Sequence, residues 1–371
     1  MITRNDTIPM ITLLAYYERI SLFHTMEPFF LKKIRPRFYF TSSPEYCLAK
    51  DKNRILFMER WFQHREPRDL EPEDLEFIKK LRDKYKTIVF FNGQPEAGTN
   101  RLDLLPWVDR LFYKSVFSDA ANYQKDLYAK NLFAHYYHDK YGVSDGGTGY
   151  RYTGGVDDGN LKKAGLSWNI GVGSYPRKNL PQRLGVLLAR GGFPDLRSFF
   201  AEKRAVAPKD FSSPGRSIEV HARIDPVPSA SISFQRRLFL DLIKGDRRFL
   251  TGLVSQAAYY RELEDSKIVL SPFGWGEVCF RDFEAVISGS LLFKPDMSHL
   301  KTWPDVYIPY ETYVPLDWDG GDLMDKALEY LENDAERERI SKNAYEQYRS
   351  ELGKLEARFV SLLGEVLDNG H

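Results

Sequence analysis

Glu277, Arg281, Glu284 and Ser288 recur at a spacing that, at ~100° per residue, sets them on one narrow stripe of a helix. Val278, Phe280, Phe283, Ala285, Val286 and Ile287 cover most of the rest. Two carboxylates and a guanidinium on such a stripe can hold a sugar, a ribose and a diphosphate together, because carboxylates accept from vicinal hydroxyls and Arg neutralises phosphate oxygens. The helix predicted over 277–288 follows a strand-like run at 267–270 and a break containing Ser271, Pro272, Gly274 and Gly276. Strand, glycine turn and helix amino end make a phosphate-binding geometry. The plainer alternative is an i,i+4 ion pair of Glu277 with Arg281, with Glu284 at the rim.

Something must position that stripe, and the surrounding pattern supplies it. Strand-like runs fall at 10–16, 38–41, 54–58 and 87–91, with helical runs at 28–34 and 72–85 between them, an alternation that predicts a parallel, doubly wound sheet. A Gly-, Asp- and Thr-rich surface loop is expected over 142–159 and a strand over 166–172. The proline-rich stretch 174–214, with a helix at 196–204, reads as an interdomain connection. A second alternating set follows: strands at 217–223, 267–270, 291–293 and 313–315, helices at 234–244, 277–288 and 323–333. The tail 335–367 is charged and helical, with Ile340, Tyr345, Tyr348, Leu352, Leu355, Phe359, Leu362 and Val366 as its apolar stripe. The division expected is an acceptor-binding unit over 1–180, a nucleotide-sugar-binding unit over 181–345, and a helix over 346–371 that returns to the first unit.

Composition narrows the class. The chain has 371 residues, 43% hydrophobic and 28% charged, which suits two soluble domains, and its formal net charge of +1 lacks the basic excess of a nucleic-acid binder. Cys47 and Cys279 are far apart and form neither a disulfide framework nor a zinc motif, so a reducing, cytoplasmic setting is expected. The apolar stretch 11–17 is too short, and too soon followed by Glu18 and Arg19, for a signal h-region; no window approaches the ~20 apolar residues of a transmembrane segment.

Two Rossmann-like halves, a ligand site in the second and a closing helix resemble a GT-B-type glycosyltransferase. Glu284-Ala-Val-Ile-Ser-Gly289 is similar to the Glu-Ala-x-x-x-Gly end of the donor-binding helix in that superfamily. The run from Phe280 to Lys294, followed by Glu311 to Leu323, is similar to the carboxyl half of the protein O-glucosyltransferases and, less closely, the exostosins. In the former an Arg-containing helix, a Gly-Ser-hydrophobic-Lys strand and a Tyr-Val-Pro-x-x-x-Asp-x-x-Asp-Leu stretch occur in that order. Ser233-Phe-Gln-Arg236 falls where that family has Ser-x-x-Arg. The likeness covers 217–330 at motif level. It departs in one respect: the common GT-B glutamate pair has seven residues between its members, and Glu277 and Glu284 have six.

The resemblance implies that Arg236 and Arg281 serve the diphosphate and Glu284 the ribose of a nucleotide-sugar donor, which is co-substrate and not cofactor. Lys294, the Gly274–Gly276 turn, Ser271, Arg223 at the end of the 217–223 strand and Glu277 complete the expected donor set, with no obligatory metal. The acceptor, a glycan or glycoconjugate, needs a general base from the facing unit if the reaction inverts configuration, and the sequence leaves inversion and retention both open. Glu59 and Glu96, at the carboxyl ends of their strands, are the candidates, with a solvated surface glutamate as the alternative for each. Asp317-Trp-Asp319 could take a divalent cation, yet Asp319 and Asp322 read as turn and cap residues. His135 and His138, near Asp139, have no evident third ligand, so no metal site is assigned. A non-catalytic nucleotide- or glycan-binding protein of the same fold is the rival reading. A dinucleotide enzyme or P-loop kinase is disfavoured, since neither G-x-G-x-x-G after the first strand nor G-x-x-x-x-G-K-[ST] occurs.

Overall fold

The strands β1 (Ile11–Ala15), β2 (Phe38–Thr41), β3 (Ile55–Glu59), β4 (Thr87–Phe91) and β5 (Arg110–Tyr113) are rich in β-branched, Leu and Phe residues. β1, β3 and β4 are buried along their whole length, as strands covered on both faces must be. In the computed structural model, which describes residues 11–49, 55–62, 72–95, 97–98, 101–145, 158–175, 179–201, 211, 215–225 and 230–368, they form one parallel sheet. β6 (Ser115–Phe117) leaves that sheet and β7 (Ala164–Leu166) closes its edge, giving the order β2-β1-β3-β4-β5-β7.

A second parallel sheet holds β8 (Ile218–His221), β9 (Phe249–Leu250), β10 (Ser266–Leu270) and β11 (Leu291–Pro295). β12 (Leu300–Thr302) crosses over to pair antiparallel with β6, and β13 (Val314–Leu316) completes the order β13-β11-β10-β8-β9. These are the two Rossmann-like, doubly wound domains that the alternation predicts. The β6–β12 ribbon ties them together.

The tail behaves as its stripe requires. Helix Asp334–Gly353 packs Ile340 into the second core and reaches the first domain through Tyr348, whose hydroxyl donates to Gly171 O at 2.5 Å. The chain turns at Lys354, and helix Leu355–Asp368 buries Phe359, Leu362, Leu363 and Val366 against Phe29, Phe38 and Trp168 of the first domain. The last helix therefore closes the first core, as expected.

Elsewhere the elements depart from the pattern for identifiable reasons. The helix expected over 28–34 is a 3-10 turn, Glu27–Phe30, opened by Pro28 and preceded by a π-helical Ser21–Thr25. The strand expected over 166–172 stops at Leu166 because Asn169 interrupts it: its side-chain oxygen accepts from Gly171 N at 2.8 Å and its amide donates across the domain boundary to Thr302 Oγ1 and Pro304 O. The 174–214 stretch is not simply a connection. Helix Leu180–Arg190 begins with a proline in its first turn, which helices tolerate, and buries Gln182, Gly185, Val186 and Ala189, the two aliphatics joining the first core. Gly185 is required there, since a Cβ would lie 2.6 Å from the Phe23 ring. The predicted 196–204 helix is a 3-10 segment, Pro194–Phe199, and 202–204 lie outside the described residues. Helix Gln256–Glu264, capped by Ser255, has no counterpart in the sequence reading.

Candidate functional site

Numbered within themselves, both sheets have the order 2-1-3-4-5, with the last strand of the first sheet added at its edge. In such sheets ligands bind beyond the carboxyl ends of the strands at the switch point, where neighbouring crossovers diverge. That point lies between β1 and β3 in the first domain and between β8 and β10 in the second. The loops leaving β1, β3 and β10 converge there on a cavity of about 650 Å³, and an adjoining chamber of about 420 Å³ shares Tyr259, Phe280 and Glu284 with it. The interdomain cleft is a product of topology.

The second domain supplies one wall. Arg236, on helix Ala230–Leu242, is anchored by Nε to Phe273 O at 3.1 Å and by Nη1 to Asp225 O, and it lines the cavity beside Gly274. The turn is tight: Gly274 N donates to Gly276 O at 2.9 Å, and a Cβ on Gly274 would lie 3.0 Å from Cys279 Sγ. Arg281 and Glu284 follow on helix Phe280–Ser288. Arg281 Nη2 donates to Arg223 O at 2.8 Å while its buried Nε has no hydrogen-bond partner. Glu284 accepts from Tyr259 and Tyr260 hydroxyls, each at 2.9 Å, and lines both chambers. Each carboxylate oxygen has two lone pairs, so these tyrosines orient Glu284 and leave it capacity for a ligand hydroxyl.

The helix amino end is fixed by Asp282, which is fully buried. Its carboxylate accepts from Cys279 N at 2.8 Å, Ser271 Oγ at 2.6 Å and Tyr307 OH at 2.7 Å, and pairs with Lys294 Nζ at 3.0 Å. One carboxylate thus joins the ends of β10 and β11 to the helix start. Here the expected donor set changes. Lys294 and Ser271 face Asp282, not the cleft, and serve to hold the helix. Glu277 is not on the helix at all, because Cys279 is its N-cap. No stripe of four exists: Glu277 turns away, accepts from Ala97 N at 2.9 Å and lies 3.6 Å from His299 Nε2. Arg223 borders the smaller chamber, but its guanidinium is committed, bidentate to Glu262 at 2.9 and 2.7 Å and to Thr251 O.

The facing wall belongs to the first domain. Glu18, after β1, pairs with Arg60, after β3, and both line the cavity with Lys114, whose Nζ donates to Gly93 O at 2.8 Å. Arg60 and Ala129 hold positive φ of 51° each, strain of the kind that gathers at ligand sites. Glu59 is not on this wall. As the last residue of β3 it points beneath the sheet, where Ser21 and Thr25 hydroxyls donate to it at 2.5 Å, and burial raises its pKa. Neither the base nor the solvated-surface reading of Glu59 holds. Glu96 lies outside the described residues. In the smaller chamber His24 is driven down to about pKa 3 by burial, so it is neutral; Nδ1, 3.2 Å from Ile170 O, must carry the proton, which makes the unpartnered Nε2 an acceptor.

The other clusters are structural. Asp317 N donates to Asp322 Oδ1 at 2.9 Å and Gly321 N to Asp319 Oδ1 at 3.2 Å, so this segment shapes a turn, while Asp319 Oδ2 pairs with Lys140 at 2.7 Å. Asp322 Oδ1 bonds back to the turn, its side chain does not cap the helix it precedes, and Oδ2 pairs with Lys326 of that helix at 2.6 Å. His138 stacks on Tyr128 with ring centroids 4.0 Å apart, and His135 pairs with Asp139 at 3.3 Å.

No family model matches the chain, and a search of curated proteins found no match. Solved structures do resemble it. They include an alpha-glucosyltransferase in complex with UDP and a 13-mer DNA containing an HMU base (TM-score 0.47, 9% identity, 97% of this chain and 100% of that one). An alpha,alpha-trehalose-phosphate synthase (UDP-forming) from Burkholderia vietnamiensis gives 0.43 and 13% identity over 95% of this chain and 86% of that one. TarM gives 0.41 and 12% over 87% of this chain, which spans about half of TarM's length (53%). All three scores lie below 0.5 and none bears on what this chain does.

Glu18, Arg60, Lys114, Tyr259, Tyr260 and Asp282 were not among the residues the sequence singled out for the site. Glu18 and Arg60 carried a usable signal, since each falls within a few residues of a strand's carboxyl end. The tyrosines carried none, their helix having gone unread.

Proposed function

We propose that the chain is a glycosyltransferase moving a sugar from a nucleotide-diphosphate-sugar donor to a carbohydrate or glycoconjugate acceptor. The observation that carries this is the convergence of Arg236, Arg281 and the Gly274–Gly276 turn with a tyrosine-held Glu284 in one cleft at both switch points. Two guanidiniums meet the charge that grows on a departing diphosphate, so the reading requires no metal. Glu284, at the junction of the chambers, suits the ribose, with the base in the smaller chamber beside Arg223 and His24. The sugar and acceptor then occupy the larger chamber, where the exposed Trp275 offers a ring for stacking.

In the transfer the bond from the anomeric carbon to the diphosphate oxygen breaks, the acceptor oxygen bonds that carbon, and the acceptor proton passes to a base. With Glu59 turned inward and Asp145 accepting from Ser231 N and Oγ, Glu18 is the wall carboxylate to which we assign that proton. Its ion pair with Arg60 favours the alternative, a nucleotide- or glycan-binding protein without turnover, because a guanidinium already holds this carboxylate. Nucleic acid is left outside the acceptor class on the near-neutral charge, and a cytoplasmic location on the two unpaired cysteines.

Thermal unfolding with UDP, GDP, dTDP, CMP or NAD, with and without EDTA, tests the reading. A ligand at about 100 times its dissociation constant stabilises by about 2.7 kcal/mol. One nucleoside diphosphate raising the midpoint irrespective of EDTA is expected; no response to any would reject the donor site. Hydrolysis of the matching nucleotide-sugar without acceptor then separates enzyme from binder.

A further inference from the structure

The apolar stripe Leu180, Leu184 and Leu187 recurs at i, i+4 and i+7 on the outward side of helix Leu180–Arg190. These leucines are 69%, 53% and 63% exposed, and the segment that follows adds Phe193 at 60% and Phe199 at 80%. The inward side of the same helix is already satisfied by Gln182, Gly185, Val186 and Ala189. The outward stripe has no role in the core, and a contiguous exposed apolar face of this kind marks an interaction surface.

Charge selects the occupant. Arg183 and Arg190 on the helix are exposed, as are Lys32 and Lys33 on the neighbouring turn, where Arg35 and Arg37 are half-buried. That turn is joined to the patch by the Arg35–Asp195 pair at 2.5 and 2.6 Å. Among the described residues the acids paired with these basic groups are Asp195, on Arg35, and Glu356, on Lys33 at 2.7 Å. A second copy docking face to face would set this basic rim against itself. Leucine and phenylalanine flanked by Arg and Lys instead match the interface of an anionic bilayer. Among the described residues no helix is long and apolar enough to cross a membrane, so the contact would lie on the surface.

We propose that the outward face of Leu180–Phe199 docks the protein onto anionic lipid. Helix Leu180–Arg190 starts one residue after Asn179, which lines the smaller chamber. A bilayer held there lies beside the edge of the cleft.

The test is co-sedimentation of the full chain with phosphatidylcholine vesicles, with and without phosphatidylglycerol. Binding to the anionic vesicles, at least about tenfold weaker on phosphatidylcholine alone and weakened by salt, is expected. Leu184→Glu with Leu187→Glu should abolish it, and Arg183→Glu should reduce it, with unfolding midpoints unchanged because these side chains are exposed. Three results would each overturn the proposal: no binding of the folded protein to either vesicle, undiminished binding by the double variant, or a concentration-dependent dimer in sedimentation velocity that the double variant dissolves.

Discussion

Arg281 is the side chain on which the proposed chemistry turns, because one end is anchored on Arg223 O while its buried Nε is left without a partner in the protein. A donor held ready in this way is satisfied by a phosphate oxygen. Arg281→Ala should abolish turnover and weaken nucleoside diphosphate binding by roughly 10- to 100-fold, the equivalent of a charge-assisted hydrogen bond. Arg281→Lys should recover only part, since an ammonium cannot keep the Arg223 contact and reach the phosphate with a planar fork. Calorimetric titration of the three proteins checks this; equal affinities would remove Arg281 from the site. At this scale the sequence was legible where the residue type decided matters, as with Arg236, Arg281 and Glu284. It misled where direction did. Glu59 and Arg60 are adjacent at the end of β3, yet Glu59 turns inward while Arg60, just past the strand at a positive φ, reaches the cleft.

At the scale of elements, the helix Phe280–Ser288 depends on a carboxylate in its first turn that no surface argument would have found. Asp282 and Lys294 are both fully buried, and the pair is one joint between β10, β11 and the helix. Lys294→Met leaves that carboxylate uncompensated and should lower stability by about 3–5 kcal/mol in urea unfolding, whereas Lys294→Met with Asp282→Leu should cost less than the sum of the single changes. A Lys294 acting on phosphate would show the opposite: little loss of stability and a large loss of affinity. Gly185→Ala tests the neighbouring misreading. A glycine within a helix ordinarily gains from alanine, but the Phe23 ring lies where the methyl would go, so a loss of about 1–3 kcal/mol is expected. The strands β1 to β4 and the helices after β11 were legible because their periodicity is strong. Helix Leu180–Arg190 was hidden by Pro181 and Gly185, and β6 and β12 by being three residues long, with a partner only in the other domain.

Across the whole molecule, the domains share a core, a two-stranded ribbon and the returning C-terminal helix, so groups buried in either domain act on one unfolding transition. Two are histidines. Burial lowers His24 to about 3 and His221 to about 4, from an unfolded value of about 6.5. Below pH ~6.5 the unfolded chain takes up protons that the folded one refuses, so stability is intact above that value and falls as the pH drops toward the folded values. Each histidine should contribute up to about 1.4 kcal/mol per pH unit across that window. Glu59 acts in the other direction: burial raises its pKa, so the folded state gains a proton before the unfolded one as the pH drops toward the ordinary carboxylate value, which offsets part of the loss. Urea midpoints followed from about pH 7 to about pH 4 should therefore fall. In His24→Gln, whose amide can keep the bond to Ile170 O, and in His221→Gln, about half of the fall should disappear. A wild-type midpoint level over that range would mean that these imidazoles charge inside the folded protein, and the neutral His24 acceptor assigned to the smaller chamber would then be a donor.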